Sequence, residues 1–198
     1  MKISIIGSGF AGLSTAAVLA QKGYEVHVFE KNNQIGGRAS QFSVDGFKFD
    51  MGPSWYWMPD VFEKFFNQFN KTTKEYYQLV KLDPGFQMIF ENSETLAIPE
   101  DYESLKKLFN QIENGSSNQL DRFMKDAEFK YNFSMDSVVY QPGLSWSEFI
   151  RIDIFKNIFN LQLFKSYKKH VANYFKHPKL KALLEFPVLF LGTAPKDT

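Results

Sequence analysis

Apolar residues fall in two short runs near the start of the chain, Ile3, Ile5 and Ile6, then Val26, Val28 and Phe29. Between them Leu13, Ala16, Ala17 and Ala20 recur at helical spacing. The pattern predicts a strand, a helix on one apolar face, a turn at Lys22-Gly23-Tyr24, and a second, parallel strand over Glu25–Glu30. Where the first strand meets the helix the chain reads Gly7-Ser8-Gly9-Phe10-Ala11-Gly12. In this spacing the first glycine permits the tight turn, the second lets backbone approach a pyrophosphate, and the third lets helix and strand pack closely. The free amides and positive dipole end of the helix then favour an anion. Glu30 stands eighteen positions after Gly12, where a carboxylate accepts hydrogen bonds from an adenosine ribose. These five features in register predict a dinucleotide site.

Further along, Gly36-Gly37-Arg38 is either a turn or a wrap of backbone against a bound coenzyme, with the guanidinium offering a fork to phosphate. Gln41–Val44 and Phe47–Asp50 flank Asp45-Gly46, a strong hairpin signal. The segment Asp50-Met51-Gly52-Pro53-Ser54-Trp55-Tyr56-Trp57 reads as a turn beside core tryptophans or as backbone laid against a planar ring system. Pro59-Asp60 opens a helix with Val61, Phe62, Phe65, Phe66 and Phe69 inward. Gln78–Leu82, Gln87–Phe90 and Thr95–Ile98 read as short antiparallel strands. From Tyr102 onward helical periods dominate, with Leu105, Leu108, Phe109 and Ile112 on one face and Leu120, Phe123, Met124 and Ala127 on the next. The cluster at 114–118 separates them. The switch from α/β to mixed strands and then helix predicts a nucleotide-binding start over residues 1–80 and a substrate region over 81–198.

Composition changes this picture in three respects. A net charge of +1 gives no field for nucleic acid, so no nucleic-acid partner is expected. The absence of cysteine excludes disulfides, thiolate metal sites and a cysteinyl-linked cofactor, and is compatible with the cytoplasm. Twenty-two Phe, nine Tyr and three Trp exceed what a small core needs, which leaves a Phe-rich core or a greasy substrate cavity. Residues 155–176 interleave rings and aliphatic side chains with Lys156, Lys165, Lys168, Lys169 and Lys176. Such a helix either lies at a lipid interface or buries its aromatic face in its own protein. Of three scattered histidines, His27 sits in a buried-strand pattern and reads as a core residue. No metal spacing and no nucleophile–base pair stands out, which fits chemistry performed by a coenzyme.

Taken together, residues 5–13, Phe29-Glu30-Lys31, Gly36–Ala39, Asp45–Ser54 and His177–Phe186 resemble the N-terminal part of a bacterial-type phytoene desaturase, the carotenoid branch of the flavin amine-oxidase-like superfamily. The resemblance implies a Rossmann-like FAD-binding fold with an inserted substrate region and non-covalent FAD. On that likeness Gly7, Gly9, Phe10, Ala11 and Gly12 face the pyrophosphate, Glu30 the adenosine ribose, Gly37 and Arg38 the phosphate side, and Gly52, Pro53 and Ser54 the flavin end, with Lys31 also among the cofactor-binding residues. It also implies hydride abstraction beside a conjugated polyene, with quinone or oxygen as electron acceptor. The apolar substrate favours peripheral contact with the cytoplasmic membrane. Family members are much longer and carry a second glycine-rich segment near their C-terminus that is absent here, so the expectation is an incomplete piece that binds FAD weakly and is inactive alone. A carotenoid or retinoid saturase, a more distant amine oxidase and a non-enzymatic prenyl-lipid chaperone of the same fold are the alternatives.

Overall fold

The computed structural model describes residues 1–52, 55–145, 148, 154, 157, 161–162 and 165–197. The chain divides into two compact units, Met1–Leu79 and Val80–Thr198.

The first unit opens with β1 (Lys2–Ile6), α1 (Phe10–Gln21) and β2 (Glu25–Phe29). β1 and β2 pair in parallel from Lys2↔Glu25 to Ile6↔Phe29. Parallel neighbours require a crossover, and α1 supplies it. The hairpin forms as the Asp45-Gly46 signal predicts: β3 (Gln41–Val44) and β4 (Phe47–Asp50) are antiparallel, and Asp45 and Gly46 take φ of 49° and 82°. Positive φ at both central residues makes a primed turn whose twist matches the strands. Phe42 and Phe49 pair across it with rings stacked at 4.9 Å. α2 (Pro59–Asn67) follows, with Pro59 in its first turn, and Val61, Phe62, Phe65, Phe66 and Phe69 are half-buried.

Two expectations fail in this unit. On α1, Ala16 and Ala17 are half-buried as expected, but Leu13 and Ala20 are exposed. His27 is exposed and sits 3.0 Å from Glu25 rather than in a core. Both have one cause: a two-stranded sheet covers only a narrow strip of the helix and leaves its own outer face open. Among the described residues the first unit buries no hydrophobic side chain, and Ser8 is its one buried residue.

The second unit holds β5 (Phe86–Ile89) and β6 (Thr95–Ile98), an antiparallel pair whose register runs Phe86↔Ile98 to Ile89↔Thr95. The fifth strand begins one residue earlier than predicted because Phe86 pairs with Ile98. The Phe90 amide instead bonds to the Glu94 carbonyl and closes the turn. The strand expected over Gln78–Leu82 does not form; Leu79, Val80 and Leu82 are exposed there. No described strand lies along it to complete a ladder, so β-propensity alone does not suffice.

The helices described over their whole length are α3 (Tyr102–Ile112), α4 (Ser116–Ser137), α5 (Tyr167–Ala172) and α6 (Pro178–Glu185). Asp101 caps α3 by accepting from the Ser104 amide. Gly115, at φ 80°, turns the chain into α4. The core joins Ile98, Phe109, Leu120, Phe123, Val171, Phe175, Leu180 and Leu183. Phe175 stands edge-on to Phe109 at 5.5 Å and to Phe123 at 5.9 Å.

Leu120 and Phe123 are buried as predicted, whereas Met124 and Ala127 are exposed. The inward side of α4 is turned toward Asp126, because buried His170 on α5 lies 3.2 Å from that carboxylate. Most of the basic aromatic stretch at 155–164 lies outside the described residues. Its later part departs from a single long helix: α5 spans six residues, Val171 and Phe175 are fully buried, and Tyr167 and Tyr174 are half-buried. No described helix is long and apolar enough to cross a membrane.

Candidate dinucleotide site

Three backbone segments of the first unit converge where β1 ends. The first is the glycine turn. Gly7 adopts φ +97°, and its amide bonds to the Phe29 carbonyl at 2.7 Å, which locks the turn to the end of β2. A Cβ at Gly12 would lie 2.0 Å from the Gly7 carbonyl oxygen, so only glycine permits this approach of helix to strand. Gly9 is the N-cap residue of α1. No side chain caps the helix and its first turn holds no acidic residue. The amides of Phe10, Ala11 and Gly12 precede the first intrahelical bond, Leu13 to Gly9, so they and the positive helix end are left for an external anion.

The second segment is Gly36–Ala39. Gly36 and Gly9 form a short parallel bridge, and the Gly36 amide donates to the Ser8 carbonyl at 2.9 Å. A Cβ on Gly37 would stand 3.1 Å from the Gly9 Cα. Gly-Gly-Arg is therefore a short 3-10 turn that also lies against the glycine loop. Arg38 is exposed and makes no ion pair among the described residues, so its guanidinium is free for phosphate.

The third segment contributes Gly52 at φ +116°, where a Cβ would meet the Arg38 carbonyl oxygen at 2.6 Å. Pro53 and Ser54 lie outside the described residues.

Glu30 follows β2 directly. Its Oε2 accepts from the Ser8 amide and the Ser8 hydroxyl, both at 2.8 Å, and its Oε1 accepts from the Asn32 amide at 3.0 Å. The Asn32 amide, then the two Ser8 donors, stabilise the charged form and hold the carboxyl well below the usual range, at about 2. It stays an acceptor at any physiological pH.

Of the remaining candidates, the Phe10 ring turns toward α2, edge-on to Phe62 at 5.9 Å, so its share in the site is its amide. Ala11 and Lys31 are exposed. Sequence reasoning missed Ser8, which occupies an unconstrained position of the glycine spacing. The available signal was a small hydroxyl residue directly after a strand whose neighbour ends in an acid. The free amides, the glycine contacts, the ionised acceptor and the free guanidinium fit the ADP half of a dinucleotide.

Comparison with known proteins agrees with this geometry. Residues 5–71 match the NAD(P)-binding Rossmann-like domain family. The chain is 38% identical over 197 residues to the carotenoid 3,4-desaturase of Haloarcula japonica, covering 99% of this chain and 40% of the relative. It is 33% identical over 196 residues to the 4,4'-diapophytoene desaturase (4,4'-diaponeurosporene-forming) of Staphylococcus aureus, covering 99% and 39%. The chain thus spans about two-fifths of the length of the curated relatives it matches.

Among solved structures, a Pyrococcus furiosus protein superposes over 100% of this chain and 40% of its own, with a TM-score of 0.55 at 17% identity. A putrescine oxidase bound to putrescine covers 91% and 35%, with a TM-score of 0.50 at 15% identity. At such identities the likeness is one of fold. The resemblance to carotenoid desaturases holds over nearly the whole chain, and its first unit carries the β-α-β start of a Rossmann-like dinucleotide-binding domain.

Proposed function

We propose that this chain is the N-terminal portion of an FAD-dependent desaturase acting on a carotenoid precursor such as phytoene. A glycine-cradled nucleotide site occurs in many oxidoreductases. What supports the narrower reading is that the likeness to two carotenoid desaturases continues through the second unit, across 99% of the chain. Bound FAD supplies the two-electron acceptor for hydride removed from a saturated carbon beside a polyene.

The residues of this chain do the holding. The amides of Phe10, Ala11 and Gly12 and the Arg38 guanidinium bind the pyrophosphate. Glu30 accepts from the ribose. Gly52 serves the flavin end, the role that the resemblance also gives to Pro53 and Ser54. A long apolar polyene substrate, quinone or oxygen as electron acceptor, and peripheral contact with the cytoplasmic membrane through residues 155–176 belong to the same proposal.

The test is expression of the complete polypeptide in bacteria that accumulate phytoene or its shorter diapo analogue. Pigment absorbing at longer wavelength, dependent on Glu30 and Gly9, is the expected result. A folded, flavin-loaded protein that leaves both substrates unchanged overturns the substrate assignment.

A further inference from the structure

Ser8 is 2% exposed in a unit where no described hydrophobic residue is buried, so packing of an apolar core does not explain its burial. Its polar atoms do. The amide and the hydroxyl both donate to Oε2 of Glu30, and the carbonyl accepts from Gly36. One residue therefore ties together the glycine loop, the end of β2 and the Gly36–Ala39 turn. An ionised carboxylate offers about four acceptor positions. Ser8 fills two of them and the Asn32 amide a third. The Lys31 amide adds a further, weaker contribution. The carboxylate is thereby fixed in orientation before any ligand arrives, with Oε2 occupied by both Ser8 donors and Oε1 left to face a ligand.

We infer that Ser8 is a positioning residue for the coenzyme: by holding Oε2 it aims Oε1 of Glu30 at one hydroxyl of the adenosine ribose. This rests on the FAD reading above and extends it to selectivity within the ribose. A carboxylate that is already ordered loses less rotamer freedom on binding, so its grip on the ribose hydroxyl is tighter than that of a free side chain. With Oε2 taken by both Ser8 donors, Glu30 accepts through Oε1 from one ribose hydroxyl rather than bridging two with both oxygens. Alanine at position 8 keeps the amide and the carbonyl and removes only the hydroxyl donor, so it loosens Glu30 without dismantling the loop.

The test uses the complete polypeptide stripped of flavin and titrated, by flavin fluorescence, with FAD and with its two analogues lacking the 2'- or the 3'-hydroxyl of the adenosine ribose. Wild type is expected to bind one analogue as it binds FAD and to lose affinity for the other. Ser8→Ala is expected to bind FAD roughly tenfold more weakly, the scale of one hydrogen bond to a charged group, and to lose most of that discrimination. In a Glu30→Ala background the same substitution adds nothing. Should Ser8→Ala fail to fold, Ser8→Cys keeps the volume with a weaker donor and shows the same loss of discrimination in smaller degree.

A variant that weakens FAD and both analogues alike marks Ser8 as a purely structural part of the loop and overturns the inference. So does a variant that binds everything as wild type does, or a wild type that penalises both analogues equally. Wild type that folds and takes up no FAD removes the coenzyme reading itself, and this inference with it.

Discussion

Gly12→Ala and Gly9→Ala separate the two demands that the glycine turn satisfies. A Cβ at Gly12 would stand 2.0 Å from the Gly7 carbonyl oxygen and 3.1 Å from its carbon. Non-bonded heavy atoms settle near about 3.5 Å, so the start of α1 must retreat from the end of β1 by roughly 1.5 Å. Overpacking of this kind costs about 1–3 kcal/mol. A displacement of that size also stretches amide-to-phosphate bonds beyond hydrogen-bonding range. Since bonds to charged groups are each worth about 1.5–3 kcal/mol, losing one or two weakens FAD by roughly tenfold to ten-thousandfold.

Gly9 presents the opposite case. Its φ is −75°, and a Cβ there would meet only the Gly37 Cα, at 3.9 Å, an ordinary contact. Gly9→Ala therefore leaves the flavin-free protein as stable as wild type but sets a methyl group where the pyrophosphate approaches. Thermal melts of the flavin-free polypeptide, followed by FAD titration, resolve the two effects. The expected pattern is a lower melting temperature and lost affinity for Gly12→Ala, and lost affinity alone for Gly9→Ala. A Gly12→Ala variant that melts and binds as wild type does would refute the steric reasoning.

Three further outcomes are expected. Phe175→Ala removes a fully buried ring held edge-on by Phe109 and Phe123 and should destabilise the second unit by about 3–5 kcal/mol, read as a shifted urea midpoint. His170 is lowered from its usual value of 6.5, first by burial and then by the nearby Lys130 charge, with Asp126 opposing and Lys165 adding to the effect. Its unfolded form binds protons more readily, so the second unit should lose stability as pH falls below about 6.5, and His170→Gln should abolish that slope in urea melts at pH 7.5 and 5.5. In limited proteolysis of the 198-residue chain, cuts should appear within residues 1–79 before 80–197, because the described hydrophobic core lies wholly in the second unit. Protection of 1–79 equal to that of the second unit would contradict this.

Local rules made most of the elements legible in the sequence. Gly7, Gly9 and Gly12 set the strand-to-helix turn, Asp45-Gly46 the hairpin, and the cluster around Gly115 the break between α3 and α4, each through a backbone conformation or contact that few residues tolerate. Burial was less legible, because it depends on what covers a face. His27 and Leu13 belong to apolar patterns, yet a two-stranded sheet leaves them open. Gln78–Leu82 has strand-like residues and no described ladder partner. Met124 and Ala127 share a helical period with Leu120, but Asp126 is the α4 residue that faces buried His170, 3.2 Å away, and Met124 and Ala127 are exposed.

The same limit applies to the site. Glycine spacing and the acid at position 30 announce themselves, whereas the hydrogen bonds from Ser8 to Glu30 join residues 22 positions apart and exist only once β1 and β2 are paired. The close stacking of Gly9, Gly37 and Gly52 against neighbouring backbone likewise depends on three segments meeting in space.

The claim on which the rest depends is that the first unit grips the ADP half of a flavin coenzyme. The most direct measurement is the visible spectrum of the complete polypeptide as purified, followed by heat release and quantification of its flavin. The account predicts a yellow protein that yields stoichiometric FAD and loses it in the Gly12→Ala variant. A folded, colourless protein that refuses added FAD would contradict it.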